Sequence, residues 1–284
     1  MLRLLFFAAV TAVAVYAETM LWKVSYGGHT LYLGGTVHML RPADYPLPSA
    51  FDGAFAASDT LVLETDLGAM ASPGFAAVLQ QYLMYAPGKS LKGALDGRTY
   101  GALERYAQRQ GVPMALLDRM KPPLAVMTLL QLQLQSLGVT APGVDAYFFE
   151  KAQKEAKRVA WLESPEEQVA ILASIGRKDP DAMVRQSLEE AGTYGTVMAQ
   201  MIAMWRKGDA AEMERLGKKY LAYDDPEDYR VLIVRRNRSW MTKLQAMLRS
   251  PETELVLVGA LHLVGPEGLV QRLRRKGYRV EQMP

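Results

Sequence analysis

Leu31-Tyr32-Leu33-Gly34-Gly35-Thr36-Val37-His38 has a counterpart near the other end of the chain, Leu255-Val256-Leu257-Val258-Gly259-Ala260-Leu261-His262. Each stretch runs from an apolar strand into Gly-x-x-His. The chain has three histidines, and two of them occupy this one place in the two copies. The copies also continue alike. After His38 come a loop, a helix pattern over Pro48 to Ala57 and a second apolar run, Leu61-Val62-Leu63-Glu64. After His262 come Gly265-Pro266, a helix pattern to Lys276, Gly277 as a stop, and Tyr278-Arg279-Val280.

Each copy therefore reads as a strand-helix-strand unit with parallel strands and a right-handed crossover. Open sheets of such units bind ligands beyond the carboxyl ends of their strands. A single Gly-x-x-His is often no more than a turn with a packed histidine. Two in equivalent settings, with Glu64 ending the next apolar strand, point to a site. If both units share one sheet, His38, His262 and Glu64 converge on one rim.

With 284 residues, half of them hydrophobic, the chain can bury a substantial core. A formal charge of +3 is nearly balanced and gives no reason to expect a nucleic-acid partner. The absence of cysteine removes disulfides, thiolate metal sites, a cysteine nucleophile and a lipoprotein anchor together. Arg3, the apolar run Leu4 to Val15 and the small-residue site Val15-Tyr16-Ala17 read as a signal peptide cleaved after Ala17. That run is shorter than the ~20 residues a spanning helix needs, and no later stretch is long and apolar enough. The expectation is a periplasmic or secreted protein without a stable membrane anchor.

Leu21 to Tyr26 and Thr30 to Leu33 flank Gly27-Gly28-His29 as a hairpin with His29 at the turn. The middle of the chain reads as helical. Pro122 to Leu137 is apolar nearly all round, which predicts a buried helix. A helix opens at Pro142, and Val159 to Leu162 reads as a short buried strand ending at Glu163. Ser164-Pro165-Glu166-Glu167 is a capping box. Asp179-Pro180 opens a long helix to Lys207, weakened at Gly192 and Gly195, whose methionines read as core filling. Asp225-Pro226 opens the last long helix, to Ser250. There Arg236 falls inside the apolar stripe of Tyr229, Leu232, Ile233, Trp240, Leu244 and Met247. An arginine cannot shed its charge, so it needs a carboxylate, a bound anion or a route to water. It either forms a buried ion pair or aims into the cleft toward Glu64 or a substrate carbonyl. Asn237 beside it is a lesser candidate.

These residues resemble a known family. Gly35-Thr36-Val37-His38 after a hairpin, Leu63-Glu64, Pro142-Gly143-Val144-Asp145, Leu162-Glu163 with Gln168, Trp205 with Gly208-Asp209, Arg236-Asn237 with Trp240, and Val258 to Gly265 are similar in order and spacing to the TraB/GumN family, which includes Tiki-type metalloproteases. The likeness spans Leu21 to Val280. It implies a peptidase dependent on a divalent metal, with His38, His262 and Glu64 at the ligand positions. Asp145, Glu163 and Arg236 match positions typical of the family. It also implies one TraB/GumN-like α/β domain over 18–284, with a mixed sheet built from both chain ends and a helical insertion over about 75–250. Unlike Tiki proteins, this chain is expected to have no membrane anchor, which puts their membrane-bound substrates in doubt here.

Two imidazoles and a carboxylate leave open positions on a metal, as catalysis requires. Nitrogen and oxygen donors admit zinc, manganese or cobalt, and the resemblance leans to manganese or cobalt. Glu163 is then a candidate proton shuttle. If Glu64 is the base instead, Asp145 becomes the candidate third ligand. Two other readings stay open: a metal-free histidine/carboxylate hydrolase of erythromycin-esterase-like type, and a non-catalytic periplasmic binder of metal or haem. Thr36 is a weak candidate nucleophile, because no Gly-x-Ser-x-Gly elbow is present.

Overall fold

A computed structural model describes residues 18–222 and 226–284. The expected signal segment, 1–17, and Asp225 lie outside the described residues. The strands are β1 Leu21–Tyr26, β2 His29–Thr36, β3 Met39–Leu40, β4 Thr60–Leu63, β5 Ala141–Pro142, β6 Arg158–Trp161, β7 Glu254–Gly259 and β8 Arg279–Gln282. Six form one mixed sheet in the order β6-β4-β7-β2-β1-β8, and β3 pairs with β5.

β1 and β2 form a tight hairpin. Gly27 and Gly28 take φ of +55° and +89°, the positive values a two-residue turn requires. His29 therefore starts β2, opposite Tyr26, rather than sitting in the turn. Beyond the hairpin, β2, β7, β4 and β6 run parallel. The runs Leu61-Val62-Leu63 and Leu255 to Val258 are buried on both faces, because helices cover each side of such a sheet. The helix Ser49–Ala56 connects β2 to β4, and β7 lies between those two strands. At the other end β8 pairs antiparallel with β1.

Phe51, Phe55, Phe148 and Trp205 pack against the sheet. The Trp205 indole donates to the Gly35 carbonyl at 2.6 Å, which ties the helix Tyr194–Arg206 to β2. The helices over about 91–191 gather around a second apolar cluster that includes Leu103, Leu117, Leu129 and Val184.

Several sequence expectations need correction. The helix Pro122–Ser136 buries Ala125, Val126 and Leu129, but Met127 is 42% and Leu132 37% exposed. One face meets the second cluster and the other meets solvent. β6 is the outer strand of the sheet, with Trp161 43% exposed, so it is not a buried strand. It also brings a mid-chain strand into a sheet expected from the chain ends. The helix predicted from Asp179-Pro180 to Lys207 breaks into Pro180–Glu190 and Tyr194–Arg206 across a 3-10 turn, Ala191–Thr193, at Gly192. The last helix is interrupted by a π-helical segment, Arg230–Arg235, before Arg236–Met247. Such segments are rare and gather at functional sites.

Candidate functional site

Just past the carboxyl ends of the four parallel strands lie His38, Glu64, Glu163 and His262, while Asp145, Arg236 and Asn237 come from helices. Pairing of β4 with β6 continues one step past each strand, with Leu162 N on Leu63 O and Glu163 N on Glu64 O, both 2.9 Å. The two carboxylates therefore leave adjacent strand ends side by side. Left alone they would repel. Arg236 stands between them: Nη2 donates to Glu64 Oε2 at 2.5 Å and Glu163 Oε1 at 2.6 Å, and Nε donates to Glu163 Oε2 at 3.1 Å. The Trp240 indole adds a donor to Glu163 Oε2 at 3.2 Å, and its ring lies 4.6 Å from the guanidinium carbon.

His262 sits in the 3-10 turn Ala260–His262 that follows β7, and it is buried. The Asn237 amide nitrogen donates to the carbonyls of His262 and Glu267 at 3.0 and 2.9 Å. Its Oδ1 is therefore the atom 2.7 Å from His262 Nδ1, and that ring nitrogen must carry the proton. Nε2 is left as an acceptor, 3.0 Å from Arg236 Nη1.

His38 is placed differently. β3 and β5 pair Met39 with Pro142, and Val144 N donates to Val37 O at 3.1 Å. A side chain on Gly143 would bring its Cβ within 2.3 Å of the His38 carbonyl, so only glycine allows this approach. The helix Val144–Lys154 then starts against His38, and Asp145 Oδ2 lies 2.8 Å from His38 Nδ1. The two histidine copies are thus not equivalent: His262 is buried, while the His38 side chain is 62% exposed.

The rings nonetheless share one spot. A Cβ on Gly259 would lie 3.4 Å from Glu64 Oε1 and 3.6 Å from both His38 Nε2 and His262 Cδ2. The Gly259 N–H itself donates to Glu64 Oε1 at 2.6 Å. His262 Nε2 is 3.9 Å from the same oxygen, and Gln168 reaches Glu64 Oε2 at 3.4 Å.

Charge follows from these contacts. Burial opposes ionisation of Glu64, but the fields of His262, Arg236 and His38 with the Gly259 N–H outweigh it and hold the carboxyl at about 2. Burial pushes His262 down to about 3, helped by Arg236 and against the pull of Glu64. His262 is therefore neutral above that pH, and the cations that keep Glu64 ionised are Arg236 and the protonated His38. Burial raises Glu163 despite Arg236. Asp145 raises His38, to about 9. Water screens so exposed a pair, which makes the rise smaller than it would be in a buried one.

Two imidazole nitrogens and a carboxylate oxygen fit a divalent cation in donor type. Each ring is also held at its far nitrogen by an oxygen acceptor, as metal-binding histidines are. The spacing does not fit as the side chains stand. Among the described residues no three His, Cys, Asp or Glu groups lie close enough to hold an ion. Arg236 also sets its own charge against Glu64 Oε2 and an N–H against His262 Nε2, the faces an ion would need.

Of the predicted residues, Glu64, Glu163, Arg236, Asn237 and His262 form one bonded cluster, and His38 with Asp145 faces it. Sequence reading gave no role to the Gly259 N–H, to Trp240 as a partner of Glu163, or to Thr65. For Thr65 the only signal was its place next to Glu64.

Fold and site together define a mixed α/β protein with a histidine- and carboxylate-bearing cleft at the ends of its parallel strands. The TraB/PrgY/gumN family profile matches residues 20–282, and the chain belongs to that family. It is 26% identical over 249 residues to the uncharacterized protein YbaP of Escherichia coli (strain K12), covering 87% of this chain and 89% of that relative. The uncharacterized protein YbaP of Shigella flexneri matches with the same identity and coverage. No solved structure matches. No helix among the described residues is long and apolar enough to cross a membrane.

Proposed function

We propose that the chain is an exported hydrolase of peptides, with its water activated where His38, Glu64 and His262 meet. The observation that carries this reading is the anchoring of the two rings. Asp145 and Asn237 hold the Nδ1 atoms, so both rings turn their other edge toward Glu64. Fixing a ring in one tautomer and one direction is what both metal ligation and proton transfer demand.

In the metal-dependent form, His38, His262 and Glu64 would be the residues to hold manganese, cobalt or zinc. When bound, such an ion supplies a water that ionises near neutrality and polarises the scissile carbonyl. That form requires Arg236 to leave His262. A metal-free form is favoured by the contact Arg236 now makes with His262 Nε2. There ionised Glu64 takes a proton from the water whose oxygen bonds to the scissile carbonyl carbon. His38, kept protonated by Asp145, gives its Nε2 proton to the amine as the C–N bond breaks, and the Glu64 proton then returns to His38. Glu163 is already bonded to Arg236 and Trp240 and holds the guanidinium in place. The amino-terminal segment up to Ala17 is the export signal in this reading, and finding the uncleaved chain in the cytosol on fractionation rejects that part.

The test uses chelator-stripped protein, before and after reloading with manganese, cobalt or zinc, on a mixture of internally quenched peptides. Turnover that needs metal and is lost in both His38→Ala and His262→Ala supports the first form. Turnover that survives complete metal removal, yet is lost in His38→Ala, supports the second. Stoichiometric metal binding without turnover of any peptide leaves a metal-binding protein and rejects the hydrolase.

A further inference from the structure

The cleft in front of His38 and Glu64 encloses about 300 Å³. Its lining combines the apolar Leu67, Met70, Met127, Ile171, Leu172 and Leu232 with the polar Thr36, Thr65 and Asp145. Thr36 Oγ1, Thr65 Oγ1 and Asp145 Oδ1 are buried and have no hydrogen-bond partner. Both threonines are 3% exposed. Among the described residues one other buried side-chain atom is similarly unpaired, Glu254 Oε2, at the far end of β7. Unpaired buried polar atoms destabilise a fold. Three of the four lining one cavity call for a ligand that pairs them.

The donor inventory narrows that ligand. A carboxylate oxygen only accepts, so Asp145 Oδ1 needs an N–H or O–H, whereas the hydroxyls can donate to a carbonyl. A group that offers N–H and C=O in alternation, beside a large apolar body, is a peptide backbone carrying an apolar side chain. A sugar would supply the polar partners but leave the aliphatic and thioether wall unmatched.

We propose that this cavity is the specificity pocket of the hydrolytic site, and that it takes a peptide with a large apolar side chain next to the scissile bond. The proposal rests on the hydrolase reading. Thr36, Thr65 and Asp145 Oδ1 hold the peptide backbone, and the wall from Leu67 to Leu232 receives the side chain.

Binding, rather than turnover, tests it. Four acetylated, amidated tetrapeptides that differ at one residue (leucine, phenylalanine, alanine or glutamate) are titrated calorimetrically into the full chain, with mass spectrometry of the same samples to detect cleavage. The leucine and phenylalanine peptides should bind at least about tenfold tighter than the alanine peptide. Met127→Glu, at a partly exposed position that tolerates a charge, should erase that preference. Thr65→Val should weaken the leucine peptide roughly three- to tenfold while raising the thermal midpoint of the free protein, because it removes an unpaired hydroxyl. Equal affinity, or no binding, across the four peptides overturns the proposal. So does a lowered midpoint in Thr65→Val, which would make the hydroxyl structural. Apolar-selective binding without cleavage of any peptide overturns the hydrolase reading and leaves the pocket. Cleavage without apolar preference does the reverse.

Discussion

At the scale of single residues, a guanidinium that cannot shed its charge governs the site. Arg236 is bonded to Glu64, Glu163 and His262 at once, and each partner depends on it for a different reason. The carboxylates need its charge; His262 needs its N–H. Replacing it by methionine keeps the apolar stem and removes the charge, leaving two buried carboxylates without their shared guanidinium. Arg236→Met should cost about 3–5 kcal/mol at pH 8. The loss should shrink toward pH 5, since carboxylates deprived of a cation gain protons more readily and then repel less. Urea denaturation at the two pH values measures this. An equal loss at both would mean that the arginine acts by packing alone.

At the scale of elements, the crossing of β3, β5 and the helix Val144–Lys154 decides where His38 stands. Gly143→Ala would press a methyl into the His38 backbone and push the helix start, with Asp145, off the ring. The His38 pKa, raised by Asp145, should then fall toward its ordinary value. Proton NMR of the ring C–H signals can follow this in a chain with three histidines. An unmoved titration in a folded Gly143→Ala would show that Asp145 does not depend on this crossing.

The same elements show what was legible in the sequence. Apolar runs entering Gly-x-x-His marked β2 and β7, because parallel strands buried on both faces leave no room for polar residues. Arg236 stood out because a charge inside an apolar stripe breaks a helical period. Asn237 and Asp145 were visible as candidates, but not their bonds to the rings, which follow from packing between segments about 25 and 107 residues apart. The exposed face of Pro122–Ser136 was misread because periodicity records which residues are apolar, not how much neighbouring surface exists to cover them. The π-helical segment before Arg236 leaves no mark in composition.

At the scale of the whole molecule, the two ends of the parallel strands have opposite electrostatic character. The site end is compensated; the other holds Glu254, pushed up to about 7 chiefly by burial, with Ser250 opposing and Glu252 adding to the rise. A folded value above the unfolded 4.5 means that the native chain binds the extra proton between those limits. Stability therefore declines as pH rises from about 4.5 to 7 and stays lower beyond. Glu254→Gln should raise the thermal midpoint at pH 8 and change it little at pH 4.5. A gain of the same size at both pH values would show that the carboxyl is not charged in the fold.

β7 lies between β2 and β4, yet it comes long after both in the chain. A nascent polypeptide that has reached residue 250 possesses β2 and β4 but not the strand that joins them, and lacks His262 altogether. Such late closure gives slow, long-range folding. Premature termination ahead of β7 would thus leave a nascent chain with neither the strand that closes the sheet nor one of the two cleft histidines.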